Sequence, residues 1–262
     1  MRTESRFSLS TAQHNWSRRA RAWPTEASHH PGELRPSCDT PDVLIQIYGI
    51  TTPEDAEVVN ALAPDNVGVV LDEGFETWDG VDEATARMIV SELTDVAIVA
   101  LSLATERDRI LRTVETISPS VVHLVRAAEE MTPELLASLR GELDPIRLML
   151  TVPVLNEDSV TQAQNLSEAT DYLLLDSAHP QSGQVGATGL VHDWALSRRI
   201  VESCTAPSIL AGGLGPTNVR NAIDAVRPHG VDSETRTSRD DDRRRKDPEK
   251  VRLFIERARS QI

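Results

Sequence analysis

The segment Leu210-Ala211-Gly212-Gly213-Leu214 is a short apolar run ending in two glycines, and Gly230-Val231-Asp232-Ser233-Glu234 follows one amphipathic stretch later. Backbone N–H groups hold a phosphate best where no Cβ keeps them from its oxygens. Gly212 and Gly213, aided by the backbone of Ser233 and Glu234, are therefore the expected phosphate grip. Taken alone, a pair of glycines is equally a tight turn into Pro216. Position decides between the two: these segments are the seventh and eighth of eight repeats, where a (β/α)8 barrel binds phosphate.

The repeats begin at Val43. Runs rich in Val, Ile and Leu fall at 43–48, 67–71, 96–101, 121–125, 146–152, 172–175 and 208–210 and around Val231, with an amphipathic segment after each. That alternation predicts βαβ units and a parallel sheet, and eight units close a barrel. Thr52-Pro53-Glu54, Thr132-Pro133-Glu134 and Asp247-Pro248-Glu249 place a capping residue before a proline at the first helical position. Residues just after barrel strands face the shared mouth. Tyr48, Asp72, Glu73, Ser102, Arg126, Asp176, Ser177 and the 233–236 segment are the candidates on that ground.

A chain of 262 residues accommodates one barrel, expected over 41–262, and residues 1–40 read as a disordered extension. The net charge of -14 repels nucleic acid, yet leaves room for a local cationic site that takes a small anion. Just two lysines occur, Lys246 and Lys250. This acid-rich, lysine-poor composition fits a salt-adapted cytoplasm or a GC-rich genome. Two cysteines, Cys38 and Cys204, make neither a disulfide framework nor a metal spacing. The expectation is a cytoplasmic protein, monomer or homodimer, with no metal, redox cofactor or membrane span and with a small phosphorylated sugar as its ligand.

Gln46-Ile47-Tyr48-Gly49-Ile50-Thr51, Leu173-Leu174-Leu175-Asp176-Ser177, Gly186-Ala187-Thr188-Gly189 with His192-Asp193-Trp194, and Leu210-Ala211-Gly212-Gly213-Leu214 share an order and spacing. Together they resemble the phosphoribosylanthranilate isomerases, over about Val43 to Arg259. The resemblance implies a (β/α)8 barrel and an Amadori rearrangement of a phosphorylated ribosyl amine. In it an acid protonates the ribose ring oxygen and a base removes a proton from the adjacent carbon. It implies that Asp176 is the acid, that Gly212 and Gly213 grip phosphate, and that Gly186 and Gly189 shape the loop over the sugar. Partial burial at a strand end raises a carboxyl pKa toward working pH, which suits that acid.

The chain also departs from the family. Tyr48 stands where the family keeps a cysteine base, and Gln46 where it usually has lysine. A phenol of pKa about 10 donates a hydrogen bond but is a poor base, so Tyr48 is an acid or a wall. After the second strand the family's arginine gives way to Asp72-Glu73-Gly74-Phe75-Glu76-Thr77-Trp78, whose carboxylates would repel an anthranilate. Asp72 or Glu73 then becomes the candidate base, and Arg126 and Arg236 the candidates for an anionic substrate group, since the guanidinium fork suits carboxylate and phosphate. The charge run 239–247 reads as a solvated loop with internal pairing. Two further readings stay open: an isomerase or lyase on another sugar phosphate, and a barrel that binds a sugar phosphate without catalysis.

Overall fold

The computed structural model describes residues 43–75, 77–126, 130–177 and 192–260. The extension expected over 1–40 and the loop glycines Gly186 and Gly189 lie outside the described residues. Eight strands alternate with eight helices among those described: β1 Leu44–Ile47, α1 Pro53–Ala61, β2 Asn66–Val70, α2 Glu83–Glu92, β3 Ala97–Ser102, α3 Arg107–Ile117, β4 Val121–Leu124, α4 Pro133–Leu143, β5 Arg147–Val154, α5 Asp158–Ser167, β6 Tyr172–Ser177, α6 Trp194–Ser203, β7 Ser208–Leu210, α7 Val219–Val226, β8 Gly230–Ser233 and α8 Pro248–Arg259. The strands form a closed parallel barrel in sequence order, β8 pairing with β1. No helix among the described residues is long and apolar enough to cross a membrane.

Strand periodicity divides the core in two. Ile45, Ile47, Val67, Val69, Val122, Leu124, Leu150, Val152, Leu173, Leu175, Leu210 and Val231 pack outward with the helices. Their neighbours point into the barrel, where Val99, Val121, Met149, Tyr172, Leu174, Ile209 and Ala211 fill the lumen. The helices start where the prolines predict: Thr52 accepts the Asp55 N–H, Thr132 the Leu135 N–H, and Asp247 those of Glu249 and Lys250. Such caps contribute about 1 kcal/mol each and fix where each helix leaves its loop.

Candidate active site

Several inward positions on adjacent strands are polar. Gln46 lies between the outward Ile45 and Ile47, and its register partners are Asn66 on β2 and Asp232 on β8. Leu175 pairs with Leu210 and Leu210 with Val231, so one residue further Asp176, Ala211 and Asp232 stand side by side. Asn66 Nδ2 donates to Gln46 Oε1 at 3.0 Å, and Gln46 Nε2 donates to Asp232 Oδ1 at 3.2 Å. A polar belt thus runs from β6 round to β2.

Asp176 faces the lumen and accepts the N–H of Ser177 at 2.7 Å. Burial raises its pKa to about 6, against the lowering effect of that hydrogen bond. Asp232 is pushed further, to about 8, by burial first and by the charge of Asp176 second, with Gln46 and Lys246 opposing. Alternation of Asp232 with the outward Val231 is the signal by which it was findable in the sequence.

Tyr48 is a buried donor. Its hydroxyl lies 2.8 Å from His123 Nδ1, and His123 Nε2 lies 2.6 Å from Thr151 Oγ1. Burial lowers the imidazole pKa to about 3, so the ring is neutral, while burial and the charges of Asp232, Glu234 and Asp79 raise the phenol well above its ordinary value. The phenol therefore stays protonated, as its residue type suggests. The ring occupies the space left by Gly68, where a Cβ would come within 2.0 Å of Tyr48 Cδ1. Neither Gly68 nor the His123 partnership stands out in the sequence.

The candidate bases after β2 are engaged elsewhere. Asp72 is exposed, and its Oδ1 accepts the Gly74 N–H at 2.8 Å. Glu73 accepts from Ser102 Oγ, the N–H groups of Leu103 and Ala104, and Thr113 Oγ1, at 2.8 to 3.3 Å. That carboxylate organises the β3–α3 loop, and a proton from substrate would have to displace four structural donors. Glu73→Ala strands those donors and is expected to lower unfolding free energy by about 3 kcal/mol, read as a fall in the urea midpoint. An unchanged midpoint would contradict the role.

Gly212 and Gly213 both take positive φ, +78° and +62°, and both are partly exposed. A Cβ on Gly212 would meet His192 Nδ1 at 2.9 Å and Ser177 N at 3.0 Å, so the turn requires glycine on two counts. Asn218 closes the loop, donating to the Gly213 carbonyl and accepting the Gly215 N–H. Ser233 Oγ donates to the Leu214 carbonyl at 2.7 Å and ties β8 to this turn. The Glu234 carboxyl points away from the turn, to Gly49 and Lys246, so any part it has in anion binding is through its backbone.

The two arginines do not converge. Arg126 follows β4 and Arg236 follows β8, four strands apart in a ring of eight. Arg126 pairs with Glu130 on its own turn, is 43% exposed, and lies 5.7 Å from the Phe75 ring. The Arg236 Cβ packs against Gly215, beside the β7 turn. They can serve opposite ends of one ligand but cannot share a single anion.

Residues 239–244 of the charge run are exposed, as expected of a solvated loop, but the run also straps itself to α1 and the loop after β2, and its end is buried. Arg245 pairs with Asp55 at 3.0 Å, Arg243 stacks on Trp78 at 4.6 Å, and Arg244 donates to the carbonyls of Trp78 and Gly80. Lys246 is fully buried and donates to the Glu234 carbonyl at 2.9 Å and to Ser238 Oγ at 3.1 Å. Burial lowers its pKa to about 8 against the pull of Glu234, Asp232, Asp79 and Asp55. Glu234, raised well above its ordinary value by burial, shares a hydrogen bond with Asp79. No cluster of metal-ligating residues occurs among the described residues.

A closed barrel with a raised-pKa carboxyl at the end of β6, next to a glycine turn after β7, defines a (β/α)8 barrel whose mouth holds a candidate acid–base group. The model of the N-(5'-phosphoribosyl)anthranilate isomerase family matches residues 45–257, and the chain belongs to that family. It is 34% identical to the N-(5'-phosphoribosyl)anthranilate isomerase of Methanocella arvoryzae over 82% of this chain and 97% of that one. With the Haloferax volcanii protein of the same name, identity is 32% over 72% and 81%. Among solved structures, phosphoribosylanthranilate isomerase from Thermotoga maritima superposes with a TM-score of 0.68 at 30% identity, covering 82% of this chain and 98% of the other. A phosphoribosylanthranilate isomerase bound to reduced 1-(o-carboxyphenylamino)-1-deoxyribulose 5-phosphate gives 0.67 at 29%, with the same coverage.

Proposed function

We propose that this protein isomerises N-(5'-phosphoribosyl)anthranilate to its 1-deoxyribulose 5-phosphate, an aldose-to-ketose Amadori rearrangement of tryptophan biosynthesis. The observation that carries this reading is the inward, mostly buried Asp176 carboxyl with its pKa raised to about 6, beside the Gly212-Gly213 turn, in a chain of this family. Such a carboxyl gives up a proton near neutral pH, and the turn can present amides to the phosphate.

In this reading Asp176 protonates the ribose ring oxygen. The bond from the anomeric carbon to that oxygen breaks, its electrons remain on the oxygen, and the nitrogen lone pair closes a C=N bond. Ser177 N–H steadies the carboxylate left behind. Gly212 and Gly213, with the backbone of Ser233 and Glu234, hold the phosphate, and Arg236 adds positive charge beside them. Arg126, across the mouth, meets the anthranilate carboxylate by exchanging its exposed partner Glu130, a pair worth less than about 1 kcal/mol. The working unit is a monomer or a homodimer, the Thermotoga maritima relative being described as dimeric.

The test is direct. Phosphoribosylanthranilate, generated in the cuvette from anthranilate and phosphoribosyl pyrophosphate, is followed by fluorescence on adding the purified full chain. Conversion to the deoxyribulose phosphate is expected; binding of the reduced product analogue without any conversion would replace this reading with that of a non-catalytic barrel.

A further inference from the structure

After ring opening, a proton must leave the sugar's second carbon, and the groups closest to hand are poorly suited to take it. The Tyr48 phenol is held protonated, His123 has both ring nitrogens engaged, and Glu73 is committed to four donors. Asp232 is different. It projects into the lumen from β8, level with Asp176 on β6, and the residue between them on β7 is Ala211. A methyl group puts no bulky side chain between the two carboxyls, and each feels the other's charge. Gln46 Nε2 orients Asp232 without neutralising it, since an amide donates a hydrogen bond but carries no charge.

The geometry points to Asp232 as the proton acceptor that works with Asp176 as one acid–base pair; this rests on the isomerase reading above. One carboxyl delivers its proton to the ring oxygen. The ionised partner then takes the proton from the second carbon, the C–H electrons form the C=C bond, and the C=N electrons return to nitrogen as the enolamine forms. Transfer of the enol hydroxyl proton to the first carbon gives the ketone. The pair ends as it began, holding a single proton, and no oxidant or reductant enters.

Titration supports the arrangement. Between about 6 and about 8 the pair holds one proton, which rests chiefly on Asp232; the reactive form is the one in which that proton sits on Asp176 and Asp232 is ionised. Facing Asp232 are Asp176 from β6, Tyr48 and Gln46 from the β1 end, Glu234 beyond β8 and Lys246 from the strap, with Asp79 of the β2–α2 loop behind them against Glu234 and Lys246. Activity is therefore expected to follow a bell with limbs near those two values.

Three variants of the full chain test it, assayed with phosphoribosylanthranilate and with the reduced product analogue as binding probe. Asp232→Asn should lower kcat at least 100-fold and leave analogue affinity within threefold, while Asp232→Glu should recover at least tenfold of that loss. Gln46→Lys places an ammonium against Asp232 and should move the upper limb of the kcat profile down by at least one pH unit. A kcat for Asp232→Asn within tenfold of wild type overturns the proposal, and so does loss of analogue binding in parallel with kcat. If Asp232→Asn does not fold, an unmoved upper limb in Gln46→Lys overturns it. Failure of the isomerase reading itself is a separate result, seen as an inactive wild-type chain that still binds the analogue.

Discussion

Asp176→Asn is expected to cut kcat by on the order of 10²- to 10⁴-fold with little change in KM, the range lost when a positioned general acid is removed. The amide keeps the shape and can still meet the Ser177 N–H, so the loss isolates proton delivery. It also removes the charge that helps raise Asp232, whose pKa should fall. Whatever activity remains depends on ionised Asp232, so it should rise with pH through that lowered value and lose its upper limb. Steady-state kinetics from pH 5 to pH 9 reads both effects; a variant within tenfold of wild type would remove Asp176 from the chemistry.

The second large effect is on stability. Lys246→Met is expected to cost about 3–5 kcal/mol of unfolding free energy, because it leaves buried carboxyls without their cation. The ammonium faces Glu234, Asp232 and Asp79 and donates to the Glu234 carbonyl. Burial raises Asp232 from 3.8 to about 8, so across that window the folded chain holds a proton that the unfolded chain releases. Stability from this group thus falls as pH rises. Removing Lys246 raises the carboxyls further, so the decline should be steeper and extend to higher pH in the variant. Urea denaturation at several pH values measures it, and a midpoint equal to wild type at pH 7 would contradict the role.

The strands were legible because period two and apolar composition coincide: every run from Val43 to Val231 became a barrel strand. The glycine turn after β7 was legible for a related reason, since Gly212 and Gly213 take positive φ, a backbone demand that glycine meets best. Local patterns carry local geometry. What they did not carry was partnership across the chain. Glu73 looks available at a strand end until Ser102 and Thr113, some thirty and forty residues away, close on it. Lys246 sits in a run whose composition reads as surface, yet it is buried because Glu234 and Asp79 need a cation there. Asp232 was within reach of the alternation, but its neighbour across β7 becomes visible with the sheet register.

The strap from Arg239 to Asp247 ties the last stretch of the chain to the first helix and to the loop after β2. Until β8 reaches Leu44–Ile47, one flank of β1 has its amides and carbonyls open to any passing strand. Pairing with β8 closes that flank, and the arginines that clasp Asp55 and Trp78 act as a buckle across the closed seam.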